Sequence, residues 1–364
     1  MRSLLTLLAI AAIVATACSS PDAPSDQSPP LDDVPGGWKM ISAGDEQTCG
    51  IAKPGFLYCW GKNDRGQLGD GTFDPRATPT RIQSDSAFDA VAAGTLSSCG
   101  VTTSGGAYCW GWVADQFQPA PVAMDPEHRY TTLAVGLWMT CGLTTEGSVR
   151  CWSQTVKDSY EVTVLPGGFH FQALANSYNF FCGVSTDRKV YCWTADTWGV
   201  PSTPELQAAS SAPIRIAVGD LGYYTPAMTH LCTIDSGGAT YCWGTNIDGQ
   251  LGVGDYDDRD TPTLLVGREF VDVSASGTRT CGVGANGVPY CWGRRADSGS
   301  VIITDTAVAL LPGVRAAAAS VAPDHYCFLT EGGAAFCGGS NVDGQLGTGT
   351  SGEQMQPLRR VVDP

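Results

Sequence analysis

Charge is scarce in this sequence, and positive charge is the scarcer kind. Only 16% of the 364 residues are charged, and 36 acidic residues outnumber 21 lysines and arginines, which gives a formal net charge of −15. Cleavage after residue 17 would remove Arg2 and no acid, so the remaining body would carry −16. Such a surface repels phosphate backbones. The composition therefore argues against a nucleic-acid partner.

Histidine is also rare, and the motifs of common enzyme families are missing. None of the four histidines stands beside a serine or cysteine motif of the nucleophile type. The sequence has no Walker loop, no G-x-G-x-x-G that opens a helix, and no carboxylate pair identifiable as a glycosidase site. We therefore expect no catalytic residues, no metal, no cofactor and no enzyme activity. The histidines are His128, His170, His230 and His325, and the last two share one position of the repeat and are interpreted as structural.

Long apolar runs are absent except at the start of the chain. Residues 4–14 follow Arg2 and form a run of eleven residues, too short to span a bilayer. The run ends in Ala15-Thr16-Ala17-Cys18, which predicts a signal peptide over residues 1–17 and resembles the lipobox of bacterial lipoproteins. That resemblance implies a lipid on Cys18 and an exported, envelope-anchored protein, whereas ordinary cleavage would leave Cys18 as a free thiol. Residues 18–37 follow as a Pro-, Ser- and Asp-rich tether.

Cysteine, in contrast, is abundant and evenly placed. Apart from Cys18, the remaining 14 cysteines form seven pairs with one separation, C-x9-C, and the pairs recur every 41 to 50 residues. One spacing at a nearly constant period indicates a repeat fold, and turn residues midway would set each pair face to face across a hairpin. Paired cysteines behind an export signal are typical of disulfides, whereas zinc needs about four converging ligands. The predicted disulfides are Cys49–Cys59, Cys99–Cys109, Cys141–Cys151, Cys182–Cys192, Cys232–Cys242, Cys281–Cys291 and Cys327–Cys337.

Each repeat contains four strand-like segments. In the fifth repeat, short apolar or alternating stretches separated by turn residues lie at 214–218, 231–234 and 239–243, and a fourth strand is expected after Pro262. Four short strands in each of seven repeats predict an all-β, seven-bladed β-propeller of four-stranded blades, with one disulfide per blade. The propeller domain is predicted over 38–364, with repeats at about 38–83, 84–124, 125–166, 167–208, 209–266, 267–313 and 314–362.

Three repeats carry a longer motif. Repeats one, five and seven read CWGKNDRGQLGDG, CWGTNIDGQLGVG and CGGSNVDGQLGTG, and this stretch closely resembles the repeats of the regulator of chromosome condensation. The resemblance covers about residues 38–362 and implies the same propeller, in the cysteine-paired form of exported bacterial proteins. The other four repeats lose N-x-x-G-Q-L-G, and Gly338 stands where six repeats have tryptophan. Those tryptophans, interpreted as core, are Trp60, Trp110, Trp152, Trp193, Trp243 and Trp292.

Two loop regions allow alternative interpretations. Residues 30–34 and 357–361 both resemble a fourth strand, and we expect one of them to pair with the opposite terminus and close the ring. The acidic run 255–260 offers carboxylate oxygens of the kind that bind calcium. It lacks the glycine and closing glutamate of an EF-hand, and a solvated loop is the alternative. The G-Q-L-G loops are interpreted as turns whose leucine packs between blades.

One face of the predicted propeller is the candidate binding surface. Because strand directions alternate, the loops between strands one and two share a face with the G-Q-L-G loops, and the tight hairpin turns occupy the other. Repeat five has about eight extra residues in this loop. Aromatic residues dominate binding hot spots, although these rings could instead pack onto the blade tops. The candidate partner-binding residues are Trp138, Tyr178, Tyr223 and Tyr224.

Several functions are compatible with this sequence. The first is a monomeric, non-enzymatic scaffold, lipid-anchored at the outer membrane or cell surface, that binds a protein or glycan. The propeller-type β-lactamase inhibitor has a related seven-bladed fold, so the resemblance permits a secreted inhibitor, which a lipid anchor disfavours. The eukaryotic namesake implies guanine-nucleotide exchange, which export, disulfides and negative charge disfavour. Fold alone does not choose among them.

Overall fold

The computed structural model describes residues 37–153, 162–196, 198–207, 212–220, 229–297 and 300–364. In these residues, 28 strands form seven antiparallel sheets of four strands each, and in every sheet the strands pair in chain order. Within the same ranges, no helix is long and apolar enough to cross a membrane. The all-β, seven-bladed prediction is therefore confirmed.

Each blade is one continuous segment of chain. Blade 1 contains β1 (Trp38–Ala43), β2 (Gln47–Ala52), β3 (Phe56–Gly61) and β4 (Arg76–Arg81). Blade 2 contains β5 (Phe88–Ala93), β6 (Ser97–Thr102), β7 (Ala107–Val113) and β8 (Gln116–Met124). Blade 3 contains β9 (Tyr130–Val135), β10 (Met139–Thr144), β11 (Val149–Ser153) and β12 (Val162–Val164). Blade 4 contains β13 (Phe171–Ser177), β14 (Phe180–Ser185), β15 (Val190–Thr194) and β16 (Glu205–Leu206).

The remaining three blades follow the same order. Blade 5 contains β17 (Pro213–Asp220), β18 (Thr229–Asp235), β19 (Thr240–Gly244) and β20 (Arg259–Leu264). Blade 6 contains β21 (Phe270–Ser276), β22 (Arg279–Gly284), β23 (Pro289–Asp297) and β24 (Ser300–Ala309). Blade 7 contains β25 (Ala316–Val321), β26 (His325–Thr330), β27 (Ala335–Asn341) and β28 (Glu353–Arg360).

The disulfides hold the two middle strands of every blade in register. Cys49 opposes Cys59 directly across β2 and β3, and the equivalent pair does so in all seven blades. The paired Cα atoms are 4.0–4.2 Å apart, slightly closer than the separation of about 4.5 Å expected for directly opposed residues. The predicted pairing, one bridge within each repeat, is confirmed.

The core lies between blades, where the tryptophan of one blade covers the disulfide of the blade before it. Trp152 of blade 3 packs in the cluster that holds Cys99 and Cys109 of blade 2, and Trp110, Trp193, Trp243 and Trp292 occupy the same place in their blades. All six repeated tryptophans are at most 4% exposed, so they are core, as predicted. In blade 7, which has Gly338 instead, Tyr326 and Phe328 fill the corresponding cluster.

Of the two segments that the sequence offered for closing the ring, 30–34 and 357–361, the second does not pair with the opposite terminus. Segment 357–361 was expected to pair with the opposite terminus if 30–34 did not, yet β28 pairs with β27 of its own repeat. Residues 30–34 lie outside the described residues. Blades 7 and 1 meet side by side: Trp38 N donates to Gly333 O at 2.7 Å, and Ala43 N donates to Ser320 Oγ at 2.8 Å. Closure therefore depends on packing and local hydrogen bonds between neighbouring blades.

The fourth strand of blade 5 also begins earlier than predicted. It starts at Arg259 and contains Pro262, where the sequence suggested a strand only after the proline. Proline lacks an N–H donor and is tolerated in an outermost strand, because that strand pairs on one side only. Pro79 in β4 and Pro357 in β28 occupy similar edge strands.

Candidate binding face

The alternating strands divide the connections between two faces. We call the face with the connections from strand one to two and from strand three to four the loop face, and the opposite one the turn face. The first strands of all blades line a central channel with a cavity of about 200 Å³, walled largely by alanine, serine and valine. Both the G-Q-L-G loops and the candidate aromatic loops therefore lie on the loop face, as predicted.

The G-Q-L-G loops are folded by their own amide side chains. In blade 1, Asn63 is fully buried; its Oδ1 accepts from Leu68 N at 2.9 Å, and its Nδ2 donates to two carbonyl oxygens of the same loop. Gln67 Oε1 accepts from Arg65 N at 2.8 Å. Asn246 with Leu251 and Asn341 with Leu346 repeat the first contact. These amides are satisfied within the loop, so the motif serves structure.

Each of these loops packs onto the next blade. Leu346 is fully buried beside Trp60, and Trp60 Nε1 donates to Gln345 O at 3.0 Å. A Cβ added to Gly347 would lie 2.6 Å from Trp60 Nε1, so only glycine fits there. Leu68 meets Trp110 and Leu251 meets Trp292 in the same way. We name residues 63–69, 246–252 and 341–347 the latch loops, because each fastens its blade to the following one.

Two of the three latched interfaces also contain a buried histidine. The Thr48 hydroxyl donates to Gln345 O at 2.8 Å, so it accepts from His325 Nε2, which lies 2.7 Å away and must carry the proton. Burial, with a contribution from Arg279, lowers the pKa of His325 to about 3, so the ring is neutral. His230 repeats this arrangement with Thr280 and Gln250, and burial lowers its pKa to about 3. The structural interpretation of both histidines is therefore supported by their contacts.

The structure brings two of the four predicted aromatic residues together. Trp138 lies in the loop between β9 and β10, and Tyr178 lies in the loop between β13 and β14. The two loops are bonded, because Trp138 N donates to Asn179 Oδ1 at 2.9 Å. Both aromatic residues are half-buried. Tyr223 and Tyr224 lie outside the described residues.

More exposed aromatic residues, which the sequence did not single out, lie in the connections from strand three to four or, in the case of Phe117, at the start of the fourth strand β8. In the described part of the chain, the aromatic residues that are about half exposed or more all lie at this end of their blades. Trp198 is the most exposed of them at 67%. Sequence reasoning followed only the loops between strands one and two, although Trp198 stands where blade 4 has lost the latch motif. The four residues are Phe73, Phe117, Trp198 and Tyr256.

The backbone around Trp198 is held firmly. Trp198 N and Val200 N donate to Asp196 Oδ1 at 2.9 and 2.8 Å, and Ser153 Oγ of blade 3 donates to Trp198 O at 2.6 Å. The indole is thus presented by an ordered loop, which reduces the entropy lost when a partner binds.

The channel opens on the loop face beside a carboxylate. Asp45 lies at this mouth, a cavity of about 70 Å³, and its backbone N–H donates to Gly94 O at 3.2 Å. Burial raises the pKa of Asp45 to about 7 against the hydrogen bond from Thr95, and the charges of Glu46 and Asp324 raise it further. The mouth therefore gathers acidic side chains, and Lys62, the cation beside them, is paired with Glu46.

The acidic run 255–260 is engaged in local contacts. Asp255 pairs with Arg259 at 2.5 Å and its Oδ1 accepts from Asp257 N at 3.1 Å, while Asp258 Oδ1 accepts from Asn246 N at 2.7 Å. These carboxylates brace the latch loop of blade 5. Over the ranges that the structure describes, no group of three or more His, Cys, Asp or Glu is placed to hold a metal ion.

A second concave region lies on the turn face. It is a groove of about 670 Å³ between blades 5 and 6, lined by residues that include Val266, Arg268 and Tyr290. The Arg268 guanidinium stacks 4.4 Å from the centre of the Tyr290 ring, and Val266 is 88% exposed. This groove holds none of the predicted binding residues.

Comparison with known proteins agrees with the fold. The family model of the regulator of chromosome condensation (RCC1) repeat matches residues 54–101 and 237–283, which include two of the three latch loops. No curated protein sequence matches the chain. Human WBSCR16 is 16% identical, with a TM-score of 0.71 over 84% of this chain and 94% of that one.

Two further solved structures share the architecture. Yeast RCC1 (Prp20), crystallised with Kap60 bound, is 18% identical with a TM-score of 0.65, over 79% of this chain and 78% of that chain. The ectodomain of the Physcomitrella patens receptor kinase CR4 is 21% identical with a TM-score of 0.56, over 84% and 75%. At such identities the likeness shows the fold alone. The chain thus carries two matches to the RCC1 repeat on a propeller fold that it shares with these structures.

Proposed function

We propose that this protein is a non-enzymatic binding module that recognises a partner through its loop face. The observation that carries the proposal is the position of the exposed aromatic residues: in the described part of the chain they all lie at one end of the blades. Aromatic side chains supply large contact areas at low entropic cost and dominate interface hot spots. A solved relative of the same fold, yeast RCC1, has Kap60 bound, so this architecture supports binding of a protein partner.

We also propose that a lipid on Cys18 anchors the propeller in a bacterial envelope and leaves the loop face free. Because β1 runs towards the loop face, the chain enters the first blade at Trp38 on the turn face. Trp38 N donates to Gly333 O, which belongs to a hairpin turn of blade 7 on that face. A tether of residues 18–37 would therefore attach at the side opposite the exposed aromatic residues.

Affinity capture tests the binding proposal. The full-length protein, in mild detergent, is used to capture partners from an envelope extract of cells that express it naturally. We expect a specific partner that is lost with a Phe117→Ala/Trp198→Ala variant and kept with Val266→Ala, which removes a smaller exposed apolar group from the turn face. If the turn-face variant loses the partner and the loop-face variant keeps it, the wrong face has been assigned.

Mass spectrometry tests the anchor. Membrane-extracted protein should show a mature N-terminus at Cys18 carrying two or three acyl chains. Release of the protein as an unmodified soluble species in its native cells would refute the anchor without affecting the binding proposal.

A secreted inhibitor remains the second candidate function. The related fold of the propeller-type β-lactamase inhibitor motivates it, and the exposed Trp198, whose backbone is hydrogen-bonded to Asp196 and Ser153, is suited to insertion into a concave enzyme surface. Inhibition of a purified β-lactamase by micromolar protein, abolished by Trp198→Ala, would favour this candidate over a scaffold. Guanine-nucleotide exchange is disfavoured by the seven disulfides, which are typical of exported proteins.

A further inference from the structure

The two faces of the propeller differ sharply in charge. In the described residues, the connections of the loop face contain 13 acidic residues and two basic ones, whereas the connections between strands on the turn face contain seven acidic and six basic residues. The two basic residues of the loop face are already paired: Lys62 with Glu46 at 2.5 Å and Arg65 with Asp64 at 2.8 Å. Among the described connections, the excess of acidic residues is thus concentrated on the loop face.

Part of this charge converges at the channel mouth from two neighbouring blades. Asp45 and Glu46 come from blade 1, and Asp324 comes from the equivalent loop of blade 7. They are close enough that Glu46 and Asp324 both raise the pKa of Asp45. Asp343, in the latch loop of blade 7, also has a raised pKa, caused by burial and then by the charge of Glu46. Negative charges that repel each other in one place are relieved by an incoming cation.

We infer that the loop face binds a positively charged segment of a partner protein, whose lysines and arginines meet the acidic mouth while its apolar side chains contact exposed aromatic residues of the same face, such as Trp198. This inference rests on the proposed function and adds the chemistry of the partner. Opposite charge steers such an encounter and gives it specificity. Lysine and arginine also stack on aromatic faces, so the aromatic and acidic parts of the face suit the same ligand. A neutral glycan would use the aromatic part alone.

The experiment measures binding of defined peptides to the full-length protein. The probe is a peptide of about 16 residues that alternates lysine and glycine around a central tryptophan, and its counterpart carries glutamate in place of lysine. We expect the lysine peptide to bind at one site and to compete with the captured partner. Its affinity should fall at least about tenfold between about 50 and 300 mM salt. The glutamate peptide should not bind.

Isosteric variants locate the charge. The triple variant Asp45→Asn/Asp324→Asn/Asp343→Asn should bind the lysine peptide with an affinity about tenfold lower, or lower still, at low salt. The matched control, Asp85→Asn/Glu127→Gln/Glu269→Gln, removes three charges from the turn face and should change affinity less than about twofold. Equal losses in both variants would show diffuse attraction to an acidic protein and overturn the inference. If the first triple variant does not fold, the salt dependence and the glutamate peptide still decide the question.

The outcomes separate this inference from the proposed function. If Phe117→Ala/Trp198→Ala loses the natural partner while the acidic variants and added salt do not affect it, the face binds but its partner is not cationic. If neither set of variants affects the partner, both proposals fail. A glycan partner would show itself as salt-independent binding that still requires Trp198.

Discussion

Blades 1 and 4 contain a glycine at the same distance from the second cysteine, but the loop of blade 1 packs against the following blade and the loop of blade 4 against the preceding one. In blade 1, a Cβ on Gly66 would meet Pro119 of the following blade at 2.7 Å. In blade 4, a Cβ on Gly199 would meet Trp138 O and Ser153 of the preceding blade, both at 2.6 Å. The latch motif sends a loop forward onto the next tryptophan, and its loss in blade 4 frees the loop to turn back and expose Trp198.

This difference sets an unlatched arc, blades 2 to 4, apart from the rest of the ring, in which blade 6 alone lacks the latch motif. The latch loops fasten the interfaces between blades 1 and 2, 5 and 6, and 7 and 1, and serine clamps such as Ser320 Oγ with Ala43 N reinforce the region around blade 1. Blades 2, 3 and 4 lack the latch motif and carry Phe117, Trp138, Tyr178 and Trp198 on the loop face. The unlatched arc thus presents Phe117 and Trp198 as exposed aromatic residues, whereas Phe73 and Tyr256 are exposed in the latched blades 1 and 5.

The largest effect should come from removing a latch. Leu346→Ala deletes a fully buried side chain beside Trp60 and should lower the free energy of unfolding by about 3 kcal/mol. Pro201 stands at the same distance from its second cysteine in blade 4, where it is buried and forms an isolated bridge with Ala195 of its own blade. Pro201→Ala removes a smaller apolar group than Leu346→Ala, so we expect a loss of about 1–2 kcal/mol. Chemical denaturation of both variants with disulfides intact makes the comparison, and equal losses would remove the distinction between the unlatched arc and the rest of the ring.

The second effect comes from the histidine chain between blades 7 and 1. Thr48→Val leaves the His325 Nε2–H buried without an acceptor and should cost about 1–3 kcal/mol of unfolding free energy. Adding His325→Phe removes the stranded donor, so the double variant should recover part of the loss. Thr280→Val at the interface between blades 5 and 6 should behave alike, because His230 lies 2.8 Å from Thr280 Oγ1. If Thr48→Val leaves the free energy of unfolding unchanged, the assignment of the proton to His325 Nε2 is wrong.

Sequence reasoning reached the fold because the cysteines mark the middle hairpin of every blade. A ten-residue separation and a turn midway are local facts, and seven copies of them specify seven hairpins. The packing of Trp152 on the disulfide of the preceding blade was not foreseen, because it depends on how neighbouring sheets are set in the ring. The same limit applies to segment 357–361, whose pairing within its own blade settles one of the two alternatives that the sequence left open for ring closure.

The candidate site was only partly predictable for a related reason. Trp138 and Tyr178 were found because they occupy equivalent loops of adjacent blades. Trp198 was missed because its exposure follows from a loop that turns backwards, which Ser153 and Asp196 bring about together. The pKa of Asp45 is raised by burial and further by the charge of Asp324, which is far away in sequence and comes close only in the folded ring.

A smaller effect should appear as a pH dependence at the channel mouth. Because the pKa of Asp45 is raised from 3.8 to about 7, the folded state binds more protons than the unfolded state between these values. Asp45 therefore lowers stability as pH rises through this window. The free energy of unfolding of Asp45→Asn should equal that of the wild type near pH 4 and exceed it by about 1–2 kcal/mol near pH 8. The gain is smaller than the full pKa shift would give, because water reaches this half-buried group.

Thermal unfolding of both proteins across this pH range measures the difference. The buried histidines act in the opposite direction, because their lowered pKa values make the unfolded state take up protons first as pH falls below about 6.5. They are common to both proteins and cancel in the comparison. A constant difference between Asp45→Asn and wild type at all pH values would show that Asp45 has an ordinary pKa.

The smallest effect on stability should come from the residue that matters most for binding. Trp198 is 67% exposed, so Trp198→Ala should change the free energy of unfolding by less than about 0.5 kcal/mol. Trp193, five residues earlier and 2% exposed, packs on the disulfide of blade 3, and Trp193→Ala should cost about 3–5 kcal/mol. Capture of the partner should follow the reverse order, with a loss of about tenfold or more for Trp198→Ala at unchanged melting temperature. If Trp198→Ala instead lowers stability by more than about 2 kcal/mol, the indole is part of the blade packing and the unlatched arc is not a binding surface. If it leaves both stability and capture unchanged, the loop is ordered for a purpose other than the partner that was captured.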